Sequence, residues 1–135
     1  MLRTILVSLG GGVLFGVMDG IINANPLGQR VLEAYRPIAR TSVNAPIGIL
    51  IDLIYGFAMV GIFLILYPSL PGGSGWIKGI SFGLLAWFFR VLMNAVSNWM
   101  MFKLPTETLV YGLATGLIEM LVLGILFGLT LPAAK

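Results

Sequence analysis

Apolar residues fill four long stretches of this chain, and polar side chains interrupt each stretch only at isolated positions. Each stretch is close to the roughly 20 residues that a helix needs to cross a bilayer. The stretches cover residues 4–24, 46–67, 76–101 and 105–131. Pro46 and Pro105 suit helix starts, and Pro68 and Pro71 with the following glycines suit a turn. We therefore predict an all-α polytopic membrane protein, with four transmembrane helices in two hairpins and a single domain over residues 1–135.

The connection between the first two stretches predicts a further, short helix. Asn25 and Pro26 form a typical pair of N-cap and first helical residue. Helical spacing then places on one face the apolar side chains of Leu27, Val31, Tyr35 and Ile38. We expect an amphipathic helix over residues 26–36 at the membrane interface, ending near Pro37. A polar loop is the alternative.

Two pairs of segments match each other within the chain. Residues 12–24 match 83–95, and residues 53–58 match 109–114 in the same order. This repeat predicts a duplicated hairpin with both copies inserted in the same direction. A chance match between apolar sequences is the alternative.

Composition restricts the functional class. Hydrophobic residues make up 59% of the chain, charged residues only 10%, and the mean hydropathy is +1.02, which excludes an ordinary soluble domain. The chain has no cysteine and no histidine, so we expect no metal site and no cofactor. Motifs of nucleotide binding and hydrolysis do not occur, so we expect no enzyme. The net charge of +3 is scattered, which predicts contact with lipid headgroups and not with nucleic acid.

Membrane orientation is only weakly encoded. Four basic residues flank the long-loop side and three flank the other side: Arg30, Arg36, Arg40 and Lys103 against Arg3, Lys78 and Lys135. The positive-inside rule then favours a cytoplasmic long loop, while dual topology is the alternative. We expect a multi-pass protein of a bacterial or archaeal inner membrane.

Four ionisable residues lie inside the apolar stretches, one in each: Asp19, Asp52, Arg90 and Glu119. Each costs roughly 2.5–3.5 kcal/mol at a bilayer centre, so we expect them to face one another, water or a cargo. The predicted arrangement is an Arg90–Glu119 pair, with Asp19, Asp52, Asn23 and Asn94 towards the long loop. Three carboxyl groups against one guanidinium imply that at least one carboxyl group is protonated, hydrated or bound to a cation.

Small and polar residues form one stripe on each predicted span, at helical spacing from these charges. Such stripes mark the faces where membrane helices meet. The contact glycines predicted in this way are Gly12, Gly16, Gly56, Gly112, Gly116, Gly124 and Gly128. The supporting polar residues are Tyr55, Ser97, Tyr111 and Thr115. Gly124 and Gly128 are also candidates for self-association.

Three functional hypotheses follow. The leading one is a homo-oligomeric transporter or channel, linked to protons or cations, whose pathway is lined by Asp19, Asn23, Asp52, Arg90, Asn94 and Glu119. The second is a non-catalytic accessory subunit or assembly factor that binds a larger membrane protein, with the buried charges acting only as a structural network. The third is a lipid or quinone binding protein with a crevice near Trp87 and Phe88.

Overall fold

A computed structural model describes residues 2–38, 45–73 and 75–131. Its α-helices are α1 (Leu2–Ala24), α2 (Pro26–Val31), α3 (Ala45–Leu66), α4 (Gly75–Trp87), α5 (Met93–Met101) and α6 (Thr106–Thr130). The linking 3₁₀ turns are Leu32–Ile38 and Tyr67–Ser69, and a π-helical turn, Phe88–Leu92, joins α4 to α5. Arg40, Ser74, Lys135 and the side chain of Ile38 lie outside the described part of the chain.

Four helical stretches are long and apolar enough to cross a membrane: Leu2–Ala24, Pro46–Ser69, Gly75–Met101 and Thr106–Thr130. No strand occurs in residues 2–38, 45–73 and 75–131. The prediction of an all-α chain with four such helices is confirmed. This organisation indicates a multi-pass membrane protein.

The outer surface agrees with a lipid environment. Large apolar side chains are exposed along every long helix, among them Ile65, Met100 and Trp99, with 79%, 73% and 68% of their surfaces accessible. A soluble protein rarely presents so continuous an apolar surface to water. These exposed side chains are therefore suited to contact with the hydrocarbon chains of lipids.

Prolines lie at the starts of two of the long helices, α3 and α6. Pro46 lies in the first turn of α3, where its missing N–H leaves no helical bond unmade. Pro105 instead precedes α6 in an extended conformation, and its carbonyl oxygen accepts hydrogen bonds from the N–H groups of Thr108 and Leu109. The fourth long helix therefore starts one residue after the predicted bound.

Helices α1 and α3 pack closely because glycines lie at their contact. A Cβ atom added to Gly56 would collide with the carbonyl oxygen of Ser8 and lie 2.6 Å from the backbone nitrogen of Gly12. One added to Gly12 would lie 2.8 Å from the carbonyl oxygen of Asp52. Such backbone proximity is typical of membrane helices, in which packing and not the hydrophobic effect holds helices together.

Helices α4 and α6 make a second close contact, which is the most extensive one in the described chain. Gly75 lies against Gly128, and Gly79 lies against Gly124, with each added Cβ atom colliding with the opposite carbonyl oxygen. Further along, Gly83 lies against the backbone of Met120. Positions increase along α4 as they decrease along α6, so the two helices run in opposite directions.

The two helix pairs meet around aromatic side chains. Phe63 of α3 is completely buried, and its ring centroid lies 5.3 Å from that of Phe82 in α4 and 5.8 Å from that of Phe127 in α6. The remaining interface includes Phe15 of α1 and Met120 of α6. Edge-on and tilted rings at these distances fill the centre of the bundle.

The first connection folds back onto α1 and α6. The Asn25 side-chain oxygen accepts a hydrogen bond from the N–H of Gly28 at 2.8 Å, which is the predicted N-cap of α2. Its amide nitrogen donates to the carbonyl oxygen of Ile21 at 2.7 Å and lies 3.0 Å from the Tyr111 hydroxyl. The hydroxyl of buried Thr108 donates to the carbonyl oxygen of Val31 at 2.6 Å. Side-chain hydrogen bonds therefore attach this segment to the long helices.

Replacing Asn25 by alanine is expected to lower the free energy of unfolding by about 1 kcal/mol, because the cap of α2 and the amide bonds to α1 are lost together. Asn25→Asp keeps the capping oxygen but loses the amide donor, so it should fall between alanine and wild type. Unfolding in mixed detergent micelles, followed by far-ultraviolet circular dichroism, measures the difference. Gln29→Ala, an exposed change in the same helix, is the control and should have little effect.

Candidate functional site

A polar cavity of about 450 Å³ lies between α1, α5 and α6, with Tyr35 of the first connection contributing to its wall. Five of the six residues predicted to line a pathway border it: Asp19, Asn23, Arg90, Asn94 and Glu119. Predicted supporting residues Tyr111 and Thr115 also line it, as do Gly112 and Gly116. Side chains from three separate predicted spans therefore converge on one space.

Arg90 lies in the π-helical turn between α4 and α5. Such a turn adds a residue to the helical repeat and is frequent at functional sites. Within the described chain its guanidinium makes a single ion pair, with Nη1 3.7 Å from Oε1 of Glu119, and lies 4.7 Å from the centre of the Phe15 ring. This ion pair is longer than a hydrogen bond. The Arg90 side chain remains 43% exposed, so its donors are available to a further partner.

Glu119 is the most enclosed charged residue of the site, with only 4% of its side chain exposed. Its Oε2 atom is buried and accepts no hydrogen bond from the described residues. A buried acceptor left without a donor costs roughly 1–3 kcal/mol, and more when it is charged. Asp19 lines the same cavity, and its carboxyl group lies close to that of Glu119. Two ionised carboxyl groups are both acceptors, so neither can donate to the other without a shared proton. The site therefore holds an unsatisfied acceptor beside a loosely held cation.

Hydrogen bonds to the backbone hold several lining residues in place. The Asn23 amide donates to the carbonyl oxygen of Asp19 at 2.7 Å, and the Thr115 hydroxyl donates to that of Tyr111 at 2.7 Å. Behind the cavity, Trp87 donates its indole N–H to the carbonyl oxygen of Leu113 at 3.0 Å. Asn23 and Thr115 act as donors in these hydrogen bonds. The side-chain oxygen of each residue can therefore still accept a hydrogen bond.

Three predicted site residues lie elsewhere. Asp52 faces α1, where its carboxylate lies against Gly16, and it does not border the cavity. Tyr55 packs its ring 5.8 Å from that of Phe15. Ser97 is exposed on α5, and Asn98 borders the cavity in its place. The expected position of Ser97 assumed an uninterrupted α-helix, whereas the π-helical turn rotates the residues that follow it.

The predicted contact glycines divide between two environments. Gly12, Gly16, Gly56, Gly116, Gly124 and Gly128 lie against a neighbouring helix. An added Cβ at Gly112 would meet nothing within 4 Å, because this residue opens onto the cavity. Gly124 and Gly128, considered for self-association, contact α4 of the same chain.

Sequence reasoning missed some of the cavity wall. Tyr35, Asn98 and Thr108 border it. Asn98 follows Asn94 by one helical turn, and Thr108 precedes Tyr111 by three residues, so helical spacing would have included both. Tyr35 comes from a separate segment, and no spacing rule connects it to the long helices.

Gly75 and Gly79 were also missed as contact residues. The spacing of four from Gly75 to Gly79 and Gly83 was the available signal. Gly75 ends a glycine-rich segment that predicts a turn, so its spacing to Gly79 does not stand out as a helix-contact pattern.

No known protein family, curated protein or solved structure matches this chain. Carboxyl, guanidinium, amide and hydroxyl groups can exchange protons, hold a cation or hydrogen-bond a polar solute. Within the described residues, no group of three or more Asp, Glu, His or Cys residues could hold a metal ion.

Proposed function

We propose that this protein is a small membrane transporter or channel whose pathway includes the polar cavity, and that Glu119 and Asp19 link transport to protons or cations. The observation that carries this proposal is the buried Oε2 of Glu119, which accepts no hydrogen bond from the described residues, on the wall of a cavity also bordered by Asp19 and Arg90. A purely structural ion pair would be expected to satisfy both partners. Among the described residues, Oε2 of Glu119 accepts no hydrogen bond, and Arg90 has no ion pair other than the 3.7 Å contact with Glu119.

The position of the charges in the chain supports the same proposal. Asp19, Arg90 and Glu119 lie within helices that are long and apolar enough to cross a membrane. Ionisable residues at such positions are rare and commonly mark ion pathways or proton relays. Two carboxyl groups beside one guanidinium leave an excess of negative charge that a proton or cation can balance.

Flux through reconstituted vesicles tests this proposal. The probes are protons, sodium and potassium, with each ion gradient imposed in turn and a dye selective for that ion inside the vesicles. We expect Glu119→Gln and Arg90→Ala to lower the flux of the conducted ion by roughly tenfold, the factor that about 1.4 kcal/mol represents. Glu107→Gln should leave it unchanged, because Glu107 is exposed at the start of α6 and does not border the cavity.

Correctly folded variants with wild-type flux would reject the pathway. Glu119→Asp, which keeps the carboxyl group, separates loss of chemistry from loss of fold. It should retain more flux than Glu119→Gln.

Two finer features belong to the same proposal. We infer that the spans form two hairpins, supported by the close contacts of α1 with α3 and of α4 with α6. The duplicated-hairpin repeat remains a prediction. Gly56 and Gly112 occupy equivalent positions in the repeat, but their surroundings differ, since Gly56 contacts Gly12 and Gly112 faces the cavity.

Self-association, an inner-membrane location and a cytoplasmic long loop also remain predictions. The accessory-subunit hypothesis would need a docking surface other than Gly124 and Gly128, because α4 covers them. Chemical cross-linking in native membranes would identify either a second copy or a larger partner.

A further inference from the structure

A second cavity lies beside the first and has the opposite character. This second cavity, called the apolar groove below, has a volume of about 390 Å³ and lies between α3 and α4. Its apolar lining includes Met59, Ile62, Leu66, Phe82, Leu85 and Phe89. Arg90 borders both this groove and the polar cavity. Each volume falls within the range of about 300–1,000 Å³ typical of small-molecule sites.

The two spaces extend from Arg90 in opposite directions along the helices. The polar cavity is bordered by residues that follow Arg90, as far as Asn98. The apolar groove is bordered by residues that precede it, back to Phe82, and by α3 as far as Leu66. An elongated molecule with a polar and an apolar end would fit this arrangement.

We propose that the polar cavity and the apolar groove together bind an aminophospholipid, with its phosphate beside Arg90, its ammonium group facing the carboxyl groups of Asp19 and Glu119, and one acyl chain in the groove. This inference rests on the proposed function, in which the polar cavity lies within the bilayer. It adds the class of molecule that would occupy the pathway.

Charge complementarity selects this head group. The Arg90 guanidinium donates no hydrogen bond within the described chain, and phosphate oxygens match its planar donors. Asp19 and Glu119 bring two carboxyl groups to the cavity wall, and an ammonium group supplies charge-assisted N–H donors for carboxylate oxygens. A zwitterionic head satisfies both groups at once.

Other head groups satisfy only part of the site. A purely anionic head would pair with Arg90 but add negative charge beside Asp19 and Glu119. A head with a quaternary ammonium group has the right charge but no N–H to donate to the carboxyl oxygens of Asp19 and Glu119. The primary ammonium is therefore the distinguishing feature.

Native mass spectrometry of the full-length protein in detergent tests this inference. The probes are phosphatidylethanolamine, phosphatidylcholine and phosphatidylglycerol with identical acyl chains, supplied as an equal mixture. We expect wild-type protein to retain phosphatidylethanolamine roughly tenfold over the other two, as one charge-assisted hydrogen bond implies. Equal retention of the three lipids, or a preference for either competitor, would overturn the inference without any variant.

Variants assign the contacts. Glu119→Gln should abolish the preference for phosphatidylethanolamine over phosphatidylcholine, and Arg90→Ala should reduce retention of all three lipids. Ile62→Trp narrows the apolar groove at a half-exposed position and should also reduce all three. Glu107→Gln should behave as wild type. A full preference retained by Glu119→Gln would contradict the assigned contact.

Phosphoethanolamine without acyl chains separates the lipid from its soluble head. At equal concentration it should not displace the bound lipid, because the groove contacts are missing, and displacement would overturn the role of the groove. Lipid retention and ion flux are measured separately. Flux that depends on Glu119 without lipid preference would reject only the lipid inference, and lipid preference without flux would reject only transport.

Discussion

Gly79→Leu is expected to separate α4 from α6 and to lower the free energy of unfolding by roughly 3 kcal/mol, at the upper end of overpacking costs. A Cβ at Gly79 would collide with the carbonyl oxygen of Gly124 and lie 2.8 Å from its carbonyl carbon. These are backbone atoms of a helix, so no rotamer change can move them away. Only a separation of the two helices makes room.

Alanine substitutions provide a matched test with opposite signs. Gly61 of α3 also lies within a long helix, but an added Cβ there would meet nothing within 4 Å. Gly61→Ala should therefore be neutral or stabilise by up to about 1 kcal/mol through helix propensity, whereas Gly79→Ala should destabilise. Unfolding in mixed micelles gives both values. Equal effects of the two substitutions would contradict the close contact between α4 and α6.

Phe63→Ala should produce the second large effect, a loss of about 3 kcal/mol in the free energy of unfolding. Phe63 is fully buried, and its ring contacts those of Tyr67, Phe82 and Phe127. Truncation leaves a cavity where α3 meets α4 and α6, in an interior that depends on van der Waals contact. Unlike Gly79→Leu, it should leave the contacts within each helix pair intact.

Phe57→Ala is the control for this substitution. Phe57 lies on the same helix but is 44% exposed on the outer surface, so its loss should cost well under the Phe63 value. The sequence has no cysteine, so two introduced cysteines can carry spin labels without background. Labels on α3 and α6 should show a broader distance distribution in Phe63→Ala than in Phe57→Ala. Identical distributions would contradict the joining role of Phe63.

Local signals in the sequence were sufficient for the helices and one cap. A long apolar run must form its backbone hydrogen bonds internally in lipid, so it predicts a helix without any knowledge of its neighbours. The Asn25-Pro26 pair predicts the start of α2 for a similar reason, since the Asn25 side chain bonds to the nearby N–H of Gly28. Both features depend on residues close together in the chain.

Part of the candidate site was also predictable. Ionisable and amide side chains inside apolar helices avoid hydrocarbon, which is why Asp19, Asn23, Arg90, Asn94 and Glu119 were expected to converge. They border one cavity in the structure. Asp52 also avoids hydrocarbon, but it does so at the contact between α1 and α3, where its carboxylate lies against Gly16.

Other features depended on partners distant in the chain. Helical spacing from Asn94 allows both Ser97 and Asn98 on the polar face, and the structure decides that Asn98 borders the cavity. The π-helical turn at Phe88–Leu92 changes the helical repeat before these residues, and no residue type in that segment predicts it. The spacing of Gly124 and Gly128 predicts a helix contact but does not specify the partner helix. In the structure the partner is α4 of the same chain.

Local hydropathy and backbone hydrogen bonding can be read from the amino-acid sequence, and they predict the class of the protein, the number of spanning-length helices and the residues that avoid lipid. Helix packing, in contrast, leaves Oε2 of Glu119 buried without a hydrogen bond from the described residues, and it places Arg90 at the border of both a polar cavity and an apolar groove. Those properties arise from the spacing between helices. That spacing depends on backbone contacts at glycines, such as Gly79 against Gly124, and on interlocking rings around Phe63.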